Sequence, residues 1–172
     1  MGTLNRPLVV SFAKPANRLA HKISQHFKAD VWCKSEDVGE DGRAVVQSAF
    51  AAKRPIIGVC ASAILIRFLA PLLEDKFEEP PVVSVSTNGS SVVPLLGGHH
   101  GANKIAADIA ELLNGDAAIT TASDTTIGVS LDEPPVGYSL ANPHAAKKAM
   151  SDLLAGEKMN LIGEAPWLEQ SG

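Results

Sequence analysis

Short, wholly apolar runs alternate with amphipathic segments from Pro7 to Thr121. Pro7–Ala13 (PLVVSFA) is rich in β-branched residues and predicts a strand. In the next segment, Leu19, Ala20, Ile23 and Phe27 recur at helical spacing, so a helix is expected over 15–27, with Pro15 in its first turn. Ala29–Cys33 predicts a second strand, and Ser35–Gly42 (SEDVGEDG) an acidic loop. Arg43–Lys53 reads as a helix with Ala44, Val45, Ala49 and Ala52 on one side. Pro55–Cys60 (PIIGVC) is apolar throughout, as a strand covered on both faces must be. A helix over 62–74 follows, with Ser62 placed to cap it and Pro71 expected to bend or restart it near Ala70. Val82–Ser86 and Val92–Leu95 predict two strands around the turn signal Asn88-Gly89. Asn103–Leu113 is a strongly periodic helix stopped by Asn114-Gly115, and Ala117–Thr121 predicts a sixth strand.

Repeated alternation of strand and helix predicts an α/β fold, a three-layer α/β/α arrangement around a mostly parallel sheet. Past Asp124 the pattern changes. Asp132–Gly137 (DEPPVG) reads as a linker. Asn142–Leu154 reads as a helix with Asn142 as N-cap and Pro143 at its first position, and Met159–Ile162 as a short strand. The chain is therefore expected to form one domain over 1–124, followed over 125–172 by a linker and a small incomplete β-α-β piece that more chain would complete.

Composition narrows the function classes. With 45% apolar and 5% aromatic residues, the core has to be built from Val, Ile, Leu and Ala. A formal charge of −4 and the absence of any basic or aromatic stripe argue against a nucleic-acid partner. The apolar runs Ala61–Ile66 and Phe68–Leu73 are split by Arg67, so no membrane span is expected, and the start of the chain lacks a signal pattern. A cytoplasmic protein is the expectation. Cys33 and Cys60 are expected as buried free thiols. With no CxxC or Cys/His spacing, no metal site is expected, and with no GxGxxG or P-loop signature, no cofactor.

Candidate chemistry gathers at four places. Gly97-Gly98-His99-His100-Gly101-Ala102-Asn103 puts glycines and two imidazoles before a helix. Backbone N–H groups there suit an anion, and His99 or His100 can serve as a general base. Thr120, Thr121 and Asp124 stand at the end of the sixth predicted strand, where parallel α/β sheets bind ligands. Arg67 is a cation inside an apolar helix, and it either snorkels to solvent or meets an acid, a structural partner or a substrate carboxylate. Lys14, Asn17 and Arg18 follow the first strand and are either surface groups or part of the same crevice. Lys14, Arg67, His99, His100 and Thr121 are expected to line one crevice, since loops after parallel strands share one end of a sheet.

An ordered set of motifs ties these features together. Ile64–Lys76 (ILIRFLAPLLEDK) is followed by a hairpin over Val82–Leu96 with Gly89 at its turn. Then come Gly98-His99-His100-Gly101-Ala102-Asn103, the helix Ile105–Leu113 (IAADIAELL) and Ala118–Asp124 (AITTASD). In order and spacing this resembles the CbiG (cobalt-precorrin-5A hydrolase) family. The correspondence would make 1–124 a CbiG-like N-terminal domain and 125–172 a linker and the start of the middle domain. The ending Gly163–Leu168 and the GGHHGAN spelling resemble a subgroup in which this region is fused to a precorrin-3B C17-methyltransferase.

The resemblance implies a place in corrin-ring construction, where the family opens the ring-A δ-lactone of cobalt-precorrin-5A and releases acetaldehyde. It implies His99 and His100 as catalytic groups, His99 as base for water and the N–H groups around His100 and Gly101 as oxyanion donors. It implies substrate contacts from Gly97, Gly98, Gly101, Asn103, Arg67, Lys14, Thr120, Thr121 and Asp124. The implied partners are a corrinoid (precorrin) intermediate and a methyltransferase domain in the same chain. A second class stays open alongside the hydrolase, a non-catalytic corrinoid-binding module serving such a methyltransferase.

Overall fold

The computed structural model describes residues 5–76, 78–121, 131, 134 and 137–169. Six strands form one sheet in the order β2-β1-β3-β4-β5-β6: β1 Leu8–Ser11, β2 Asp30–Cys33, β3 Ile56–Val59, β4 Val82–Val85, β5 Ser91–Leu96 and β6 Asp116–Ala117. β1 pairs in parallel with both β2 and β3, and β3 pairs in parallel with β4. β4 and β5 form an antiparallel hairpin, after which β6 runs parallel to β5. The sheet is mostly parallel, as the alternating pattern predicts.

Helices α1 (Asn17–Phe27) and α4 (Ala102–Leu113) pack on one core, and α2 (Gly42–Ala51) and α3 (Ser62–Leu69) on the other. Strand periodicity divides the apolar residues between the two cores. Val9, Ile57, Val59, Val83, Val85 and Val92 join Ala20, Ile23, Ala106 and Ile109. Leu8, Val10, Ile56 and Val82 join Val46, Phe50, Leu65 and Leu69. Helices on both faces explain why β1, β3 and β4 are buried along their whole length. Each buried Val, Leu or Ile there contributes roughly 1.5–3 kcal/mol by leaving water.

Local chemistry sets the ends of the helices. Asp41 accepts from the Arg43 N–H at 3.0 Å to cap α2. Asn114 stops α4 in the left-handed region, at φ 53°. α3 gives way at Ala70 to a 3-10 turn over Ala70–Leu72, where Pro71 cannot continue the α-helical ladder. Ala61, and not Ser62, is the N-cap of α3, and no side chain caps it.

The chain divides into two compact units, Met1–Ala118 and Ile119–Gly172. In the second unit, α5 spans Pro143–Leu154 and is capped by Asn142, which accepts from the Ala145 N–H at 3.1 Å. α6 spans Pro166–Glu169, and the Tyr138 and Trp167 rings meet at 6.0 Å. Two strand expectations change. The sixth strand shrinks to Asp116–Ala117, because only Ser91 and Val92 of β5 offer it a ladder. Met159–Ile162 forms no strand, Met159, Leu161 and Ile162 are exposed, and no strand among the described residues pairs with them. No helix among the described residues is long and apolar enough to cross a membrane.

Candidate functional site

The Gly97–Gly101 segment is a compact turn between β5 and α4. Gly97 and Gly101 are left-handed, at φ 70° and 93°, and flank a 3-10 turn over Gly98–His100. A Cβ on Gly97 would stand 2.5 Å from the Pro80 carbonyl oxygen, so the backbones touch there. Gly98 and Gly101 face open space, where a ligand can approach the main chain. The donors expected to hold an oxyanion are already used. The His100 N–H donates to the Gly97 carbonyl at 2.9 Å and the Gly101 N–H to the Gly98 carbonyl at 3.1 Å. Closing the turn engages both N–H groups. The backbone of His99 lies in this turn, and its side chain lies outside the described residues. His100 is exposed and Asn103 half-buried. Beside the turn, Leu65, Ile66, Leu69, Leu73, Val82, Leu95 and Leu96 line an apolar hollow of about 80 Å³.

Gly97–Gly101 and Lys14 do not share the single crevice expected from the sequence. Leu96 pairs with Val82, the first residue of β4, because the hairpin reverses β5. Gly97–Gly101 therefore sits at the end of the sheet where β4 begins, whereas Lys14 follows the opposite end, where β1 stops. Arg67 is exposed on α3 and donates back to the Ala63 carbonyl at 3.5 Å. Thr120 and Thr121 are exposed and belong to the second unit, and Asp124 lies outside the described residues.

At the end of the sheet where β1 and β2 finish, the structure assembles a polar network that sequence reading missed. Ser11 Oγ donates to Asn17 Oδ1 at 3.0 Å. Asn17 Nδ2 donates to Ser35 Oγ and Glu36 Oε1, both at 2.8 Å. His21 Nε2 lies 2.9 Å from Glu36 Oε2. Ser11 and Asn17 are buried, so this chain of bonds is shielded from competing water along half its length. Donation from Asn17, then from His21, holds the Glu36 carboxyl below its usual range. Cys33, at the end of β2, completes the group. The His21, Cys33 and Glu36 donor atoms all lie within 4.8 Å of one another. Beside them, Pro15, Arg18, His21, Lys22, Thr87 and Asn88 help line an open groove of about 580 Å³. Only the acidic loop Ser35–Gly42 and the early candidate Asn17 hinted at this cluster in sequence.

Two expected results follow from these environments. Burial, with Glu36 and Asp37 nearby, pushes the Cys33 thiol up to about 11, and burial pushes Cys60 up to about 12. Since the thiolate is the nucleophile, both should resist aromatic disulfide reagents in the native protein at about pH 8 and react once urea unfolds it. Fast stoichiometric reaction of the folded protein would contradict this. The second result concerns acid. Glu36 is held lower in the folded chain than the unfolded value of about 4.3. Its stabilisation is present above that value and lost as pH falls through the folded one. Urea unfolding should therefore find Glu36→Gln less stable than wild type at neutral pH, with the gap closing in acid.

Comparison with known proteins places this architecture. The family model for the cobalamin synthesis G N-terminal domain (CbiG_N) matches residues 44–124, from α2 past β6. The chain is 32% identical over 130 residues to the cobalt-precorrin-5A hydrolase of Salmonella typhimurium, across 73% of this chain and 37% of that protein. The chain belongs to the CbiG family. A second cobalt-precorrin-5A hydrolase, from Priestia megaterium, is 29% identical over 131 residues, across 73% of this chain and 35% of that protein. The chain thus spans little more than a third of the length of these two relatives. A crystal structure of a cobalamin biosynthesis protein G homolog from Sulfolobus solfataricus shares the fold. Its TM-score is 0.55 at 22% identity, over 95% of this chain and 52% of that one. The CbiG_N match includes Arg67, the β4–β5 hairpin and Gly97–Asn103. It excludes Ser11, Asn17, His21, Cys33 and Glu36.

Proposed function

We propose that this chain serves corrin-ring construction by handling cobalt-precorrin-5A, as part of the hydrolase that opens its ring-A δ-lactone and releases acetaldehyde. The observation that carries this reading is the 130-residue match to a named cobalt-precorrin-5A hydrolase. The chemistry is compatible. Lactone opening needs a base to activate water and donors for the developing oxyanion. His99 takes the first role in this reading, from its place in the Gly-His-x-Gly-Ala-Asn segment. The open faces of Gly98 and Gly101 allow the substrate close to the backbone, and the apolar hollow beside the turn offers a surface for the macrocycle edge. Because the His100 and Gly101 N–H groups are committed, other donors have to meet the oxyanion. A cytoplasmic location fits two free, buried cysteines.

Acetaldehyde release from cobalt-precorrin-5A, measured beside a corrinoid-binding titration, tests the proposal. Release by the protein supports it. Binding without release favours the second reading, a corrinoid-holding module working beside a precorrin-3B C17-methyltransferase domain. Absence of both removes the chain from substrate handling.

A further inference from the structure

The cluster at the end of β2 carries chemistry that the corrin reading does not use. We propose that His21, Cys33 and Glu36 bind a zinc-like divalent transition-metal cation through the imidazole nitrogen, the thiolate sulfur and a carboxylate oxygen, leaving a further position open. The three donor atoms lie within 4.8 Å of one another. His21 Nε2 and Glu36 Oε2 are 2.9 Å apart, slightly closer than two ligands on one tetrahedral ion, where bonds of about 2.0–2.2 Å set a wider spacing. Inserting an ion therefore asks His21 and Glu36 to part slightly, with Cys33 Sγ within 4.8 Å of both. The donor set selects the ion class: sulfur and imidazole suit zinc-like ions, whereas calcium and magnesium take oxygen ligands.

The supporting shell resembles that of a working metal site. Buried Asn17 holds the other oxygen of Glu36 at 2.8 Å and is itself held by Ser11, which is fully buried. Such second partners orient a ligating carboxylate. A tight turn fixes Cys33 against Glu36. The Glu36 and Asp37 N–H groups donate to the Cys33 carbonyl at 2.8 and 2.9 Å, and the Cys33 N–H donates to Asp37 Oδ2 at 2.7 Å. Three elements thus deliver the ligands: α1, the end of β2 and the turn after it. Glu36 and Asp37 make the surroundings of the thiol electronegative, which favours a cation.

Access is provided from one side. Cys33 is 1% exposed, but the His21 and Glu36 side chains are 43% and 48% exposed and open toward solvent. His21 also lines the 580 Å³ groove, so an exogenous ligand can reach the open position. The protons balance simply. Glu36 enters as carboxylate, His21 binds through Nε2 with its proton on Nδ1, and the Cys33 S–H gives up one proton to water for each ion bound. The site does not depend on the corrin reading, since its residues lie outside 44–124 and at the opposite end of the sheet from Gly97–Gly101.

Titration of the reduced, full chain with Co²⁺ tests the proposal. Wild type should bind one ion with thiolate-to-cobalt charge-transfer absorption in the near ultraviolet, release a proton in weakly buffered solution, and give up the cobalt to Zn²⁺. Cys33→Ser and His21→Ala should each lose the absorption band, while Cys60→Ser keeps it. Asn17→Ala should weaken Co²⁺ affinity about 10–100-fold through the freed carboxylate. His21 is half-exposed, so His21→Ala remains informative even where a change at buried Cys33 disturbs folding, and circular dichroism verifies each variant. No charge-transfer band in folded wild type would overturn the site. So would a band that survives in Cys33→Ser, or an unchanged affinity in His21→Ala.

Discussion

Replacing His99 with alanine is expected to lower acetaldehyde release from cobalt-precorrin-5A by about 10²–10⁴-fold, the usual cost of losing a general base. Corrinoid binding should change little, because the turn that presents the residue is built by its neighbours. Gly97 and Gly101 fix the turn through left-handed backbone, and the His100 and Ala102 N–H groups close it on the Gly97 carbonyl at 2.9 and 3.1 Å. None of these bonds uses the His99 side chain. Single-turnover release beside a binding titration separates the two effects. A variant that binds normally and releases acetaldehyde at the wild-type rate would remove His99 from the base role. His100→Ala supplies the comparison, since adjacent residues in a 3-10 turn point in different directions and only one can face a given substrate atom.

Gly97→Ala is expected to be the most damaging of the glycine changes in the turn, costing about 2–4 kcal/mol of stability. Two penalties combine. The left-handed backbone, at φ 70°, disfavours any Cβ by roughly 1–2 kcal/mol. That Cβ would also meet the Pro80 carbonyl carbon and oxygen at 2.6 and 2.5 Å, and a backbone group cannot swing aside as a side chain does. Gly101→Ala carries only the first penalty, since nothing stands within 4 Å of its Cβ position. Gly98→Ala carries neither and should stay within about 0.5 kcal/mol of wild type. Urea unfolding of the three variants reads the series directly. Equal losses at all three positions would show that the contact with Pro80 does not hold the turn in place.

The same turn shows how far sequence reaches. Its glycines, its histidines and the helix behind it are contiguous, so their pattern was legible, as were the short apolar strands and the helices between them. Local forces write these features into the chain: periodic burial, left-handed glycines, and proline where a ladder has to end. The family resemblance was legible for the same reason, being a fixed order of such local motifs. The donor accounting was not. Whether the His100 and Gly101 N–H groups are free depends on how tightly the turn closes, and closing it spends both.

The expectation of one crevice also missed what the hairpin does to direction. Val82–Ser86 and Val92–Leu95 around Asn88-Gly89 spell a hairpin, and a hairpin reverses one strand against its parallel neighbours. That reversal carries Gly97–Gly101 to the opposite end of the sheet from Lys14, so groups expected to share one crevice are separated. Conversely, His21 and Cys33 lie on different elements with no motif between them. Packing of α1 beside β1 and β2 sets His21 against the Cys33–Asp37 turn, and the buried Ser11–Asn17 bonds aim Glu36 at both. The elements, their α/β class and the local Gly-His-x-Gly-Ala-Asn turn follow from the linear pattern, because short-range sterics and the periodicity of burial act within a few residues. Which ends of those elements meet is fixed only on folding, because strand order and helix packing are set by burying both faces of the sheet at once.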